Sequence, residues 1–194
     1  TDLEKVRYAD YSELELYCYR AASVVGLLTV RILGFKNGDA DVYAKNIGQA
    51  LQLTNILRDV AEDAERGRIY IPQSLLEKHG VTESSILNGK QSSNFENAAG
   101  ELADRAWAHY KLSSEAIPKV NSRDLLVLEA MATIYWNLLQ KMQKINFNVI
   151  SDHRSKIRLG KWAKLALCIQ TKFFIRLKGY KPVYALSLIH ISEP

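Results

Sequence analysis

Polar side chains recur at helical spacing between residues 48 and 63. Gln52, Asn55, Asp59 and Asp63 are three or four residues apart in a stretch that is otherwise largely apolar. On an α-helix they would form one polar stripe, because residues at this spacing share a face. Carboxylates four residues apart repel each other, and a divalent cation removes that repulsion. Asp59 and Asp63 therefore predict a site for Mg²⁺, with Mn²⁺ as the alternative ion, since Mg²⁺ binds carboxylates, waters and phosphate oxygens.

Basic residues accompany this stripe. Arg66 and Arg68 lie in the exit segment, residues 66–72, which is also aromatic and strand-like. Guanidinium groups suit diphosphate oxygens because they donate paired hydrogen bonds. The alternative is a solvated face with weak ion pairs, Arg58 with Glu62 or Glu62 with Arg66. The amides that continue the stripe favour a binding site, because an amide buried without a partner is costly.

Composition and periodicity predict one all-α domain. The 194 residues are 47% hydrophobic and 24% charged, with only 10 Gly and 4 Pro, which argues against a loop-rich β fold. A capping box at Ser12 and Glu15 opens the first helix, which Gly34 ends. No apolar run reaches the roughly 18 residues that span a bilayer. Apolar spacing and capping residues predict helices at about 12–33, 39–65, 74–80, 94–117, 125–149 and 160–178.

The charge and the cysteines limit which partners and which cellular location the sequence predicts. The net charge is +5, and basic residues between Lys141 and Lys181 alternate with apolar ones. This pattern fits either a core helix with a solvated basic face, which we favour, or a surface for anionic lipid. No nucleic-acid-binding motif accompanies the charge. Cys18 and Cys168 lie far apart on apolar patterns, so free thiols and a cytoplasmic location are expected, with peripheral contact to the inner membrane face as a further option.

Two segments carry a family resemblance. Residues 52–63 with the exit segment resemble the second aspartate-rich motif of the squalene/phytoene synthase family. Residues 16–26, which begin Leu-Tyr-Cys-Tyr-Arg, resemble the same family's helix that bears tyrosine and glycine. The similarity covers roughly residues 2–180 and is nearest to bacterial members that make presqualene diphosphate for hopanoids.

The resemblance implies roles for individual residues. Asn55, Asp59 and Asp63 would bind Mg²⁺, and Tyr17 would face the reacting carbons. Tyr135 is a weaker match to another family tyrosine. Substrate contacts would come from Gln52, Arg58, Arg66 and Arg68. For Tyr19 and Tyr43 we expect ordinary packing, with the hydroxyl at the rim.

The resemblance also implies a fold and a reaction. The family fold is an all-α, isoprenoid-synthase-type bundle around a central cavity. Its first aspartate-rich motif precedes the tyrosine helix, and this chain contains one Asp-x-x-x-Asp, at Asp59 and Asp63. We therefore expect residues 1–182 to be the C-terminal two-thirds of a single domain, without its N-terminal helices. Residues 183–194 are expected to be a tail of separate origin.

Three functions remain open at this point. The first is Mg²⁺-dependent condensation of two farnesyl diphosphates to presqualene diphosphate. The second is phytoene synthesis from two geranylgeranyl diphosphates. The third, of another class, is a non-catalytic fragment or diphosphate-binding homologue. No sequence feature calls for NADPH, and none sets an oligomeric state.

Overall fold

All of the described secondary structure is helical. The computed structural model describes residues 6–36, 38–117, 122–150, 157–177 and 180–187. This confirms the predicted all-α class over those ranges. The α-helices are α1 (Tyr11–Cys18), α2 (Val24–Ile32), α3 (Gly38–Glu65), α4 (Gln73–Lys78), α5 (Glu83–Leu87), α6 (Ser93–Ala116), α7 (Leu126–Lys144), α8 (Lys161–Phe174) and α9 (Val183–Ser187), with a π-helical turn at Tyr19–Ser23 and a 3₁₀ turn at Ser122–Leu125.

Helix α3 is the centre of the bundle. Its 28 residues give a rod about 42 Å long, which packs most extensively on α6 and also touches α1, α2 and α7. Small, fully buried residues occur on both helices, including Ala44 and Ala50 on α3 and Ala99 and Ala106 on α6. The extensive contact with α6 and the neighbouring helices holds the polar stripe of α3 in a fixed place.

Several helix ends differ from the predicted ones. The N-cap of α1 is Asp10, whose Oδ1 accepts from the Glu13 amide, and the Ala9 amide donates to Glu13 Oε2. The N-cap therefore lies two residues before the capping box predicted at Ser12, because Asp caps as well as Ser. Helix α4 begins at Gln73 rather than Ser74. Helix α7 ends at Lys144, not near residue 149, and two left-handed residues follow it, Asn146 and Phe147.

The tyrosine helix and α3 cross almost backbone to backbone. A Cβ atom on Gly48 would lie 2.6 Å from Ser23 Cα, and one on Gly26 would lie 2.8 Å from the Ala44 carbonyl oxygen. Ser23 Oγ donates to the Lys45 carbonyl at 2.7 Å, across the same crossing. The π-helical turn between α1 and α2 lies at this point. The two glycines therefore fix how α1 sits against the polar stripe.

A buried carboxylate ties the C-terminal segment to the bundle. The Glu129 side chain is fully buried on α7 and accepts from the hydroxyls of Tyr43 at 2.6 Å, Tyr184 at 2.6 Å and Tyr180 at 2.7 Å. One prediction is corrected here, because Tyr43 is buried rather than at the rim. Helix α9 places Tyr184 in the core, while the doubtful origin of residues 183–194 stays a prediction. Hydroxyl donors make such tyrosines compatible with burial.

Helix α8 lies on the surface. The predicted core helix with a basic face is wrong, because Thr171 is its one buried residue. Most of its large apolar side chains are exposed, and it packs on α7 through the side that includes Thr171. Among the described residues no helix is both long and apolar enough to cross a membrane. The end of the chain, 188–194, and residues 151–156 of the basic region lie outside the described residues.

Candidate active site

The polar stripe lies on α3 as predicted. Gln52, Asn55, Asp59 and Asp63 are all half-buried on this helix. The pKa of Asp63 is raised to about 6, first by burial and then by the negative charge of Asp59, while nearby arginines oppose the shift. The two carboxylates therefore share one face and repel each other across it, which is the condition that a divalent cation would relieve.

Arg58 neutralises one of the two carboxylates. Its Nε donates to Asp59 Oδ1 at 2.8 Å and its terminal nitrogen donates to Oδ2 at 2.7 Å. Hydrogen bonding to Asp59 is the main reason that the pKa of Arg58 is raised. The guanidinium also lies 5.8 Å from the ring centre of Tyr135, which brings that tyrosine of α7 to the site. Of the two alternative ion pairs, Arg66 with Glu62 is present at 2.8 Å, whereas Arg58 bonds to Asp59 instead of Glu62.

One buried acceptor on the stripe has no donor. Asn55 Oδ1 is buried without a hydrogen-bond partner, which costs free energy unless a ligand satisfies it. Together with the carboxylates of Asp59 and Asp63 it makes an all-oxygen set of the kind Mg²⁺ prefers. No group of three or more His, Cys, Asp or Glu side chains in the described ranges could hold a metal by itself. The residues therefore fit a cation that takes its other ligands from a diphosphate and water.

Tyr17 is held against the stripe by Gln52. Gln52 Nε2 donates to the Tyr17 hydroxyl at 3.2 Å, and Gln49 Nε2 donates to the Glu15 carbonyl at 3.1 Å. Both bonds run from α3 to α1. They fix the predicted catalytic tyrosine next to the predicted substrate-binding amide, although the two are 35 positions apart in the sequence.

Two further tyrosines surround Tyr17. Its ring centre lies 5.3 Å from that of Tyr8 and 5.2 Å from that of Tyr70, and Tyr8 and Tyr70 lie 5.7 Å apart. We refer to these three rings as the tyrosine cluster. Sequence reasoning assigned neither Tyr8 nor Tyr70 to the site. Tyr70 carried a signal, its place in the aromatic exit segment, whereas nothing in the sequence singled out Tyr8.

The exit segment is anchored to the N-terminal strand-like residues. The Ile69 amide donates to the Val6 carbonyl at 3.1 Å, and the Gln73 amide donates to the Tyr8 carbonyl at 2.9 Å. Arg7 adds a bond to the Gly67 carbonyl at 2.7 Å. These bonds hold in place the exit segment, which contains Arg66 and Arg68.

The two arginines of the exit segment differ in position. Arg68 is half-buried and close enough to Asp63 to lower its pKa. Arg66 is at the rim, with a side chain 58% exposed and paired to Glu62. Arg68 is therefore the better placed of the two to contact a ligand bound between the carboxylates.

Comparison with known proteins gives the class of this helical bundle. A profile of the squalene/phytoene synthase family matches residues 1–163. The presqualene diphosphate synthase of Rhodopseudomonas palustris is 36% identical over 165 residues, which cover 85% of this chain and 58% of that protein. The 15-cis-phytoene synthase of Synechocystis is 35% identical over 162 residues, covering 77% of this chain and 48% of the relative.

Solved structures agree with this assignment. A dehydrosqualene synthase crystallised with a ligand superposes with a TM-score of 0.76 at 29% identity, covering 91% of this chain and 61% of that one. The squalene synthase HpnC of Alicyclobacillus acidocaldarius gives 0.72 at 25% identity, covering 76% and 56%. The chain therefore belongs to the squalene/phytoene synthase family, and it spans about half to three-fifths of the length of these relatives.

Proposed function

We propose that this chain carries half of the metal site of an enzyme that joins two farnesyl diphosphates head to head into presqualene diphosphate. The observation that carries the proposal is the unsatisfied Asn55 Oδ1 beside the mutually repelling carboxylates of Asp59 and Asp63. An orphaned oxygen and two mutually repelling carboxylates on one helix face are what a Mg²⁺–diphosphate ligand would satisfy.

Several residues of the chain would together bind the diphosphate and its Mg²⁺. Asn55, Asp59 and Asp63 would bind Mg²⁺, which neutralises charge on the departing diphosphate. Arg58 would turn from Asp59 toward the diphosphate oxygens as the cation takes its place, so neither charge is left without a partner. Arg68 would contact the same oxygens from the exit segment, with Arg66 at the entrance.

The tyrosine cluster would face the carbon skeletons. Loss of diphosphate leaves an allylic cation at carbon 1 of one farnesyl group, which bonds to the C2=C3 double bond of the second. Loss of a proton from that same carbon 1 then closes the cyclopropane ring, so one diphosphate and one proton leave for each product. Tyr17, held by Gln52, and Tyr70 would offer aromatic faces that stabilise cationic carbon and displace water, while the buried Tyr8 ring packs against both. Tyr135, next to Arg58, would lie beside the leaving group.

Two other functions have specific support. Phytoene synthesis from geranylgeranyl diphosphate is supported by the phytoene synthases among the matched relatives. A diphosphate-binding role without turnover stays open because this chain contains one Asp-x-x-x-Asp, at Asp59 and Asp63. The choice between farnesyl and geranylgeranyl substrates would depend on the depth of the central cavity that the family fold implies. That cavity stays a prediction.

The test is product analysis of folded protein with Mg²⁺ and either farnesyl or geranylgeranyl diphosphate. Presqualene diphosphate confirms the first proposal, and phytoene replaces it with the second. If neither product forms, calorimetry with inorganic diphosphate in the presence and absence of Mg²⁺ decides between the binding role and no site. Mg²⁺-dependent binding without product supports the non-catalytic role, and no binding contradicts the assignment of the stripe.

A cytoplasmic location also stays part of the proposal. Both cysteines are free, Cys18 buried and Cys168 half-buried, as expected in a reducing compartment. Cell fractionation with a labelled chain tests it, and recovery from an oxidising compartment would contradict it. A more specific version of this proposal is that the protein contacts the inner face of the membrane peripherally.

A further inference from the structure

Arg58 and Asp59 form an ion pair that helical geometry by itself does not favour. Consecutive residues of an α-helix point about 100° apart, and side chains that meet are usually three or four positions apart. Glu62, four residues after Arg58, is instead paired with Arg66 at 2.8 Å. Arg58 donates to both carboxylate oxygens of its neighbour Asp59, at 2.8 Å and 2.7 Å. Each oxygen of one predicted cation ligand thus accepts a hydrogen bond from a guanidinium.

This ion pair is largely shielded from water. The side chains of Arg58 and Asp59 are 18% and 22% exposed. A paired contact between a guanidinium and a carboxylate is a strong ion pair, and partial burial protects it from screening by salt. A free cation at Asp59 would have to displace Arg58 and leave that half-buried charge without an anion, which is costly. Arg58 therefore competes with a free cation for Asp59.

An anion that arrives with the cation changes this balance. Diphosphate oxygens accept paired hydrogen bonds from a guanidinium, as a carboxylate does. Arg58 would exchange Asp59 for the diphosphate, which frees the Asp59 oxygens for the cation. Asp63 and the unsatisfied Asn55 Oδ1 complete the oxygen set on the same helix. No charge is left unpaired in this exchange, whereas free Mg²⁺ brings no partner for Arg58.

We propose that Arg58 makes the polar stripe select Mg²⁺ accompanied by diphosphate over free Mg²⁺. Arg58 is then a specificity-determining residue, which blocks Asp59 until a diphosphate accepts its hydrogen bonds. The site would stay unloaded when no diphosphate is present to be neutralised. This role of Arg58 rests on the proposed function, so binding of the metal together with diphosphate is measured first.

The test measures binding of Mn²⁺, which stands in for Mg²⁺, with and without inorganic diphosphate. The paramagnetic resonance signal of free Mn²⁺ is lost on binding, so bound metal is measured without turnover, and calorimetry gives the affinities. The wild type should bind Mn²⁺ with diphosphate at least about tenfold more tightly than Mn²⁺ alone. Arg58→Gln should bind free Mn²⁺ about tenfold more tightly than the wild type does, and Mn²⁺ with diphosphate less tightly.

Three variants separate the hydrogen bonds of Arg58 from its charge. Arg58→Lys keeps the charge but cannot make the paired contact, so it should also bind free Mn²⁺ more tightly than the wild type. Arg66→Gln removes an equal charge that is 58% exposed and paired with Glu62, so free Mn²⁺ affinity should change by less than about threefold. Asp59→Asn combined with Arg58→Gln should lose the gain, which assigns the gained ion to Asp59. Circular dichroism confirms the fold of each variant.

The outcomes distinguish failure of this role from failure of the metal site. The role of Arg58 is overturned, and the metal site stands, if Arg58→Gln binds free Mn²⁺ no more tightly than the wild type. It is also overturned if Arg58→Lys matches the wild type, because charge alone would then act, or if diphosphate leaves Mn²⁺ affinity of the wild type unchanged. Folded wild-type protein that binds no Mn²⁺ even with diphosphate would overturn the proposed function and this role together.

Discussion

At the scale of single residues, the three predicted cation ligands differ in the partners that the protein provides. Asp59 has Arg58 as its partner, while Asp63 retains a raised pKa and Asn55 Oδ1 has no donor. The sequence predicted the stripe because helical spacing alone determines which residues share a face. It did not predict that Arg58 would bond to its neighbour, since that choice depends on the local burial of both side chains.

The carboxylates should be needed for binding of diphosphate with Mg²⁺. Asp59→Ala or Asp63→Ala is expected to weaken Mg²⁺-dependent diphosphate affinity by about 100-fold or more, because each removes a cation ligand. Isothermal calorimetry with and without Mg²⁺ measures the effect. Glu65→Gln, which changes an exposed carboxylate on the same helix, is the control and should bind as the wild type does. Retained affinity in both alanine variants would show that the stripe is not a metal site.

His109 should make stability depend on pH. Its Nδ1 faces Asn46 Oδ1 at 2.9 Å and its Nε2 faces the Tyr11 hydroxyl at 3.2 Å. Asn46 donates its amide to a carbonyl, so its oxygen accepts and Nδ1 of His109 is the donor in this contact. Burial lowers the pKa of His109, Lys45 and Arg105 lower it further, and the charge of Glu15 opposes them.

The direction of the pH dependence of stability follows from the protons that the folded and unfolded states bind. The unfolded state binds the proton near the ordinary pKa of about 6.5 and the folded state binds it only at lower pH, so stability falls as pH drops below about 6.5. The loss should approach 1.4 kcal/mol per pH unit at most. Urea unfolding of wild type and His109→Gln between pH 5 and 7.5 measures it. The difference in free energy of unfolding between wild type and His109→Gln should shrink toward low pH. Parallel plots of this free energy against pH would contradict the prediction.

At the scale of elements, the close crossing of the tyrosine helix on α3 sets the site geometry. Gly48→Ala would put a methyl group 2.6 Å from Ser23 Cα, and backbone cannot move aside as a side chain can. We expect a loss of about 1–3 kcal/mol in the free energy of unfolding. The Gln52–Tyr17 hydrogen bond should weaken as α1 shifts, so turnover or substrate affinity falls as well.

Gly100→Ala on α6 is the matched control for the crossing. The nearest atom to its added Cβ is on Phe147 at 3.9 Å, an ordinary contact. Because Ala favours a helix over Gly by about 1 kcal/mol, this variant should be unchanged or more stable. Chemical unfolding of both variants provides the comparison. Equal stability of Gly48→Ala and wild type would show that the crossing is loose.

At the scale of the whole molecule, the C-terminal helix belongs to the core. The ring centre of Tyr184 lies 5.3 Å from that of Tyr110 and 6.1 Å from that of Trp136, both rings being tilted to it, and its hydroxyl donates to Glu129. A chain ending after residue 182 should therefore lose about 3–5 kcal/mol, the usual cost of removing a large buried aromatic side chain. Thermal unfolding of the full chain and of the shortened chain tests this, and equal melting temperatures would contradict the core role of α9.

The sequence by itself determined most of the helices, the polar stripe and the family. These follow from local spacing and from the identity of neighbouring residues, so Asp59, Asp63 and Asn55 could be placed on one face of α3 without coordinates. Only the tertiary structure decided which distant residues meet. The tyrosine cluster joins positions 8, 17 and 70, and Glu129 gathers hydroxyls from positions 43, 180 and 184. The outward side of α8 was likewise a tertiary outcome, because an amphipathic pattern shows that one face is apolar and not whether the bundle covers it.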